Sequence, residues 1–258
     1  FRSYLSDPSL LKDKIANKKF QVYLQAKLDV ETHALVGAEA LVRYLDDDGM
    51  IQPPDRFIPV LENTYQISKI DFYVFETICA QLQTWQKQGK QLFPISSNFS
   101  RITFMEENLL EKLETIIQKY GISKQYLEVE ITESTCSSNC KGLTDQINQI
   151  REAGFLVSVD DFGAESSNLA LLATAQFDIL KIDQGFVKDI VSNTYAQSIV
   201  EAMVGVCNKR GIHLIAEGVE NEEQFEVLKN CGVKTVQGFL FSKPIPMKQY
   251  EWRYLNTK

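Results

Sequence analysis

The sequence predicts an α/β fold, a closed barrel of eight strands, on three observations. Two strand-like segments open the chain next to each other. Six units follow in which a helical stretch gives way to a short strand, five of them with a glycine at the junction. The length of 258 residues, 44% of them hydrophobic, suits one (β/α)8 barrel, which takes about 250 residues. Strands that alternate with helices imply a parallel sheet, and eight of them imply closure.

The elements follow in order. Residues 1–19 are polar and form a leading segment with a short helix from Pro8 to Lys18. Residues 20–25 alternate as a strand, as do residues 35–44, and the turn-like stretch 29–34 makes the two antiparallel neighbours. Asp46, Asp47, Asp48 and Gly49 read as a solvated turn. Residues 67–88 carry the apolar stripe of an amphipathic helix at Ile70, Val74, Ile78, Leu82 and Trp85. Gly89 then precedes a strand at 93–99, Gly121 one at 127–132, Gly154 one at 156–159, Gly211 one at 212–216 and Gly232 one at 235–239. Glycine just past a helix end takes the left-handed conformation at no steric cost. A further strand at 178–182 has no glycine marker. No linker or low-complexity stretch interrupts this pattern, so residues 1–258 are expected to form a single domain.

Composition excludes several partners. A formal net charge of −7 gives no basic face for a nucleic-acid polymer, though it allows a small phosphate ester neutralised by metal. No run of 18 or more apolar residues exists, so this segment makes no membrane span, and it carries no signal-peptide pattern. The chain begins at Phe1 without a Met and reads as a piece of a longer protein. Five cysteines (Cys79, Cys136, Cys140, Cys207, Cys231) with only two histidines make neither a disulfide framework nor a zinc site. They read as reduced cytoplasmic thiols, Cys136 and Cys140 included.

Chemistry concentrates at the strand ends. Asp160 and Asp161 follow the apolar run Phe155-Leu156-Val157. An isolated Asp pair is ordinarily a solvated turn, but each neighbouring strand also delivers a polar group to the same rim. The second strand holds Glu39 with Arg43 on the same face. Later strands hold Asn98, Glu130, Lys181 with Asp183, Glu217 and Gln237. Period 2 puts Glu128 and Glu130 on the face opposite Val129 and Ile131, so the acids point inward or upward. Seven strands carrying such groups are hard to explain by solvation, and the C-terminal rim is where barrel enzymes keep their chemistry. Carboxylates at this density need metal or Lys/Arg partners. Hard oxygen donors without a histidine cluster favour Mg²⁺ or Mn²⁺ over Zn²⁺. There are enough donors for two ions, which together clamp a phosphate ester and acidify a water. No Ser-His-Asp set, P-loop or Gly-rich dinucleotide turn supports another chemistry.

At these residues the sequence resembles a known family. VGAEALVRY around Glu39, SNFS around Asn98, EITES at 130–134, DDFG at 160–163, LKID at 180–183, AEGVE at 216–220 and QGFLFSKP at 237–244 are similar to the motifs of EAL domains, bacterial cyclic di-GMP phosphodiesterases. The similarity runs from about residue 10 to about residue 250. It implies a (β/α)8 barrel with one antiparallel strand and hydrolysis of cyclic di-GMP to linear pGpG. By position, Glu39, Asn98, Glu130 and Asp160 would hold one metal ion, and Asp160, Asp161 and Glu217 the second. Lys181 would position the attacking water, with Glu217 helping to deprotonate it. Gln25, Leu41, Arg43, Asp183 and Gln237 fall where the family meets substrate or water. Glu133 would tie down the loop after DDFG. The resemblance further implies inhibition by Ca²⁺, a homodimer, an upstream sensory or GGDEF-type domain, and a place in the bacterial cytoplasm, including as the cytoplasmic part of a membrane-anchored protein.

Three positions depart from the family pattern. Where it reads TGYSSL after DDFG, this chain has Ala164-Glu165-Ser166-Ser167-Asn168-Leu169. The family couples this loop to dimerisation, so the change motivates an alternative in which the domain is a weak or inactive receptor that binds cyclic di-GMP and signals through partner domains. A barrel enzyme acting on another phosphate ester is a third reading. Gln25-Ala26 replaces a Gln-Pro, and Tyr65 stands where glycine is usual.

Overall fold

The computed structural model describes residues 5–136, 141–164 and 175–256. Its strands are β1 (Phe20–Asp29), β2 (Leu35–Leu45), β3 (Ile51–Gln52), β4 (Ile95–Asn98), β5 (Leu127–Thr132), β6 (Leu156–Phe162), β7 (Ile179–Ile182), β8 (His213–Ala216), β9 (Thr235–Val236) and β10 (Ile245–Pro246). Eight of them close a ring in the order β1-β9-β8-β7-β6-β5-β4-β2, with β2 pairing back to β1. Strand β1 runs antiparallel to both neighbours, and every other pair in the ring is parallel. The predicted barrel with one antiparallel strand is therefore what the chain forms. Short β3 and β10, which periodicity did not indicate, attach outside the ring to β2 and β1.

The hairpin that opens the barrel is set by Asp29. Its carboxylate accepts from the backbone of Glu31 and Thr32 and from the Thr32 hydroxyl, so the side chain shapes the turn. The apolar core lies between ring and helices. Outward residues such as Val129, Ile131, Val157, Val159, Leu180 and Ile182 are buried against helices including Ile67–Lys87, whose whole predicted stripe is buried. The five junction glycines, at 89, 121, 154, 211 and 232, all have positive φ. Among the described residues, no helix is long and apolar enough to cross a membrane.

Several boundaries differ from expectation, each for a local reason. The leading helix spans Pro8–Ala16 and stops short of Lys18, which has φ +54. Strand β4 begins at Ile95, because Pro94 has no N–H for the ladder. Strand β9 ends at Val236, and Gly238 then packs so closely on the Val219 backbone that a Cβ would overlap it. The Asp46–Asp48 acids are not simply solvated. Asp46 accepts from the Asp48 and Met50 backbone and the Gln52 amide, and Asp47 pairs with Lys14 at 2.6 Å. Cys79, Cys207 and Cys231 are buried free thiols. Cys140, the Cys136 side chain and the altered positions at 165–169 lie outside the described residues.

Candidate active site

A barrel interior is usually filled with branched apolar side chains; this one is polar. Period 2 turns Gln25 and Lys27 inward from β1, Glu39 from β2, Ser96 and Asn98 from β4, Glu128 and Glu130 from β5, Ser158 and Asp160 from β6, and Lys181 from β7. Glu217 and Gln237 follow directly after β8 and β9, and the Gln237 N–H still bonds the Ala216 carbonyl.

Lys181 stands at the centre. Its Nζ lies 2.6 Å from Glu130, 2.6 Å from Glu217, 3.2 Å from Asp160 and 3.4 Å from Glu39, and the side chain is fully buried. Gln237 donates to Glu39 at 2.5 Å and to Gln25 at 3.1 Å, and the Asn98 amide donates to Glu39 at 3.1 Å. Glu39 is thus held by Asn98 of the adjacent β4 and by Gln237 from the end of β9, on the far side of β1. The Gln25 amide in turn donates to the Ser242 carbonyl at 2.9 Å.

Consecutive side chains of a regular strand face opposite ways, so Asp160 and Asp161 should diverge. A break in the β6–β7 register between Val159 and Phe162 prevents this. Asp161 takes φ +55, its N–H bonds the Asp160 carboxylate at 2.8 Å, and Phe162 returns to the core. This bulge re-aims one side chain, as bulges beside functional sites do. Two carboxylate groups result, Glu39-Glu130-Asp160 and Asp160-Asp161-Glu217, the donor atoms of each lying within 4.8 Å of one another. Asp160 belongs to both.

The electrostatics follow from four carboxylates around one ammonium. Burial, then repulsion among the acids, outweighs Lys181 and pushes Glu130 well above the usual carboxylate range and Asp160 to about 7. Burial likewise pushes Glu217 to about 7. Burial acts on Glu39 too, but Lys181, Lys27, Gln237 and Asn98 together hold it below its ordinary value. Burial and then Asp183 raise Asp161. Against its own burial, Lys181 is held firmly protonated by Asp160, Glu130, Glu217 and Glu39. Glu130 Oε2 is buried without a hydrogen-bond partner. A bare oxygen among buried carboxyl groups that repel one another, all hard oxygen donors, fits a divalent cation of the Mg²⁺ or Mn²⁺ kind.

Two cavities open above these groups. One, of about 220 Å³, is lined by Gln25, Glu39, Leu41, Asp183, Glu217 and Gln237. The other, of about 410 Å³ and mostly apolar, extends past Leu41 toward Pro54, Ile58 and Ile67. Leu41 and Asp161 line both. Asp183 also caps the short helix Gln184–Lys188 by accepting from the Gly185 N–H at 2.8 Å. Glu133 accepts from the Gly163 N–H at 2.8 Å, at a glycine where a Cβ would overlap the Phe186 ring. Arg43 lies apart from these. Its guanidinium donates to the Val42 carbonyl at 2.9 Å and sits 5.8 Å over the Tyr23 ring, lining neither cavity.

The model of the family described as EAL domain matches residues 9–244. The chain belongs to the EAL domain family. Signaling protein YkoW of Bacillus subtilis is 34% identical over 247 residues, 96% of this chain and 31% of YkoW. The bifunctional diguanylate cyclase/cyclic di-GMP phosphodiesterase MucR of Pseudomonas aeruginosa is 28% identical over 239 residues, 93% of this chain and 35% of MucR. The solved complex of the PaMucR phosphodiesterase with c-di-GMP superposes with a TM-score of 0.87 at 28% identity, covering 93% of this chain and 97% of that one. This EAL domain spans about a third of the length of these curated relatives.

Sequence reasoning missed two parts of the EAL domain's interior. One is the bulge at Asp161, which no composition signal marks. The other is a lower polar layer, in which Lys27 pairs with Glu128. Its signal was present, since the period that turns Glu130 inward also turns Lys27 inward, two residues past Gln25.

Proposed function

We propose that this EAL domain is a cyclic di-GMP phosphodiesterase that opens one phosphodiester bond to leave linear pGpG. The observation that carries the reading is the pair of carboxylate groups joined at Asp160 beside Lys181. The names of the relatives and of the PaMucR complex support the substrate.

Glu39, Asn98, Glu130 and Asp160 would hold one ion, and Asp160, Asp161 and Glu217 a second. Two Mg²⁺ or Mn²⁺ ions would polarise the phosphate and acidify a water. Lys181, locked in its protonated form, orients the water that attacks phosphorus. Glu217, 2.6 Å from Lys181, would help to take that water's proton. The water oxygen bonds to phosphorus, the bond from phosphorus to one ribose oxygen breaks, and the proton taken from the water is returned to that oxygen. Gln25, Leu41, Asp183 and Gln237 contact substrate or water along the smaller cavity, and Arg43, whose fork of donors suits a phosphate, would contact the substrate from outside it. Glu133 fixes the backbone behind Asp161 through Gly163. The same reading takes Ca²⁺ as an inhibitor and the protein as a homodimer with an upstream sensory or GGDEF-type domain in the bacterial cytoplasm.

Hydrolysis with Mg²⁺ and with Mn²⁺, run beside a binding titration in Ca²⁺, tests this. Turnover to pGpG that falls at least about 100-fold in Glu39→Ala is expected. Tight binding in Ca²⁺ without turnover in either metal would make the domain a receptor.

A further inference from the structure

One buried acid lies outside both carboxylate groups, although it lines the larger of the two cavities above them. Asp71 lies on the helix Ile67–Lys87 between the core residues Ile70 and Val74 and is 6% exposed. Its Oδ2 accepts two hydrogen bonds from the turn that follows β4, one from the Ser100 N–H at 2.9 Å and one from the Thr103 hydroxyl at 2.6 Å. A carboxylate buried in an apolar helix face is unfavourable unless its bonds matter, and both of these go to one short segment.

That segment begins at Asn98. The Phe99 N–H bonds the Glu130 carbonyl at 2.8 Å, which extends the ladder one residue past Asn98. Ser100, the next residue, is gripped by Asp71 and caps the helix Arg101–Phe104 with its hydroxyl. The backbone around Asn98 is thus pinned on one side by the barrel and on the other by Asp71. The Asn98 amide donates to Glu39, leaving its oxygen as an acceptor.

We infer that Asp71 is a positioning residue for Asn98, clamping the turn after β4 from outside the barrel so that the Asn98 amide keeps its place beside Glu39 and the first carboxylate group. The inference rests on the proposed metal site, and its test does not use turnover.

Mn²⁺ alone is titrated calorimetrically into the metal-free 258-residue chain, below the melting temperature of each variant. Asp71→Leu, which approximates the shape but accepts nothing, is expected to bind Mn²⁺ about tenfold or more weakly than the parent. Asp71→Asn, which keeps an acceptor oxygen, is expected to bind within about threefold of it. Parental affinity in a folded Asp71→Leu would overturn the inference, because the clamp would then serve the fold alone. Equal losses in the Leu and Asn variants would overturn it as well, since charge and not hydrogen-bond acceptance would be responsible. Should Asp71→Leu not fold, Asp71→Ala carries the same expectation, because truncation there only enlarges the cavity of about 410 Å³ that Asp71 lines. A parent chain that binds no Mn²⁺ would defeat the metal-site reading and this inference together, whereas binding in the parent that Asp71→Leu does not weaken defeats the inference alone.

Discussion

Among the described residues, two lysines are buried inside this barrel, and they keep different company. Lys27, in the lower layer, meets one carboxylate: both Glu128 oxygens lie within 3.0 Å of its ammonium and the Ser96 hydroxyl at 3.1 Å. Lys181, in the upper layer, meets four. Residue type and burial are the same in both places, so the difference lies in the charge count. The lower pair is balanced and needs nothing further. The upper cluster is short of positive charge, and shortage at the C-terminal face of a barrel marks the place for a bound cation and its substrate.

The largest effect should come from unbalancing the lower layer. Lys27→Met leaves Glu128 buried without its partner, a change expected to destabilise the fold by about 3–5 kcal/mol in denaturant unfolding. Combining it with Glu128→Leu should recover most of that loss, because an apolar pair of similar volume removes the uncompensated charge. If the double variant stayed as unstable as the single, the lower layer would be more than a balanced pair.

Adding metal probes the upper layer. Mg²⁺ or Mn²⁺ at 100 times its dissociation constant should stabilise the parent by about 2.7 kcal/mol, and a chelator should reverse this. Glu130→Gln is expected to lose most of that stabilisation, whereas the Lys27/Glu128 double variant should keep it. Equal metal stabilisation in all three would place the ion away from Glu130.

How much of this was legible beforehand differs between the layers for a physical reason. Glycine-marked helix ends and apolar runs are local signals, and they located all eight ring strands to within a few residues. The rim acids were legible because Glu39, Glu130 and Asp160 face inward from strands by their period and Glu217 directly follows one. The lower layer was half legible, since Glu128 was seen to face inward while its partner is 101 residues away in sequence. Asp161 was named for its neighbour, but the bulge that turns it toward Asp160 arises from a shift between β6 and β7, which no property of residues 156–162 alone specifies. Asp71 was invisible for the opposite reason. It sits within an apolar stripe, where helical periodicity gives no hint of a hydrogen bond to a distant turn.

Asp71 also sharpens the comparison, as a buried acid with no ammonium among its hydrogen-bond partners. Burial, opposed by Thr103 and Ser100, pushes it to about 7, above the unfolded value near 3.9. Between those values the folded state holds a proton that the unfolded chain has lost. Stability should therefore fall as pH rises from about 4 to about 7, by up to about 1.4 kcal/mol per unit from this group, and level off above 7, where both states are ionised. Asp71→Asn removes the slope, so the stability difference between parent and variant should grow across that window in metal-free unfolding curves. A difference independent of pH would mean that Asp71 stays ionised throughout.

The smallest effect concerns strain. Tyr65 and Asp161 both hold φ +55, a conformation that costs a residue with a side chain about 1–2 kcal/mol. Tyr65 is 78% exposed in the turn between the helices Ile58–Asn63 and Ile67–Lys87. Tyr65→Gly relieves the strain but adds freedom to the unfolded chain, so a net gain of about 0.5–1 kcal/mol is expected, with hydrolysis unchanged. Asp161→Gly relieves the same strain, yet it removes the carboxylate that the bulge brings to Asp160, and hydrolysis should fall about tenfold or more. Strain that can be relaxed without loss at Tyr65 but not at Asp161 would show that the bulge serves the upper cluster. If Asp161→Gly were as active as Tyr65→Gly, the second carboxylate group would reduce to Asp160 and Glu217, and the case for two ions would fall with it.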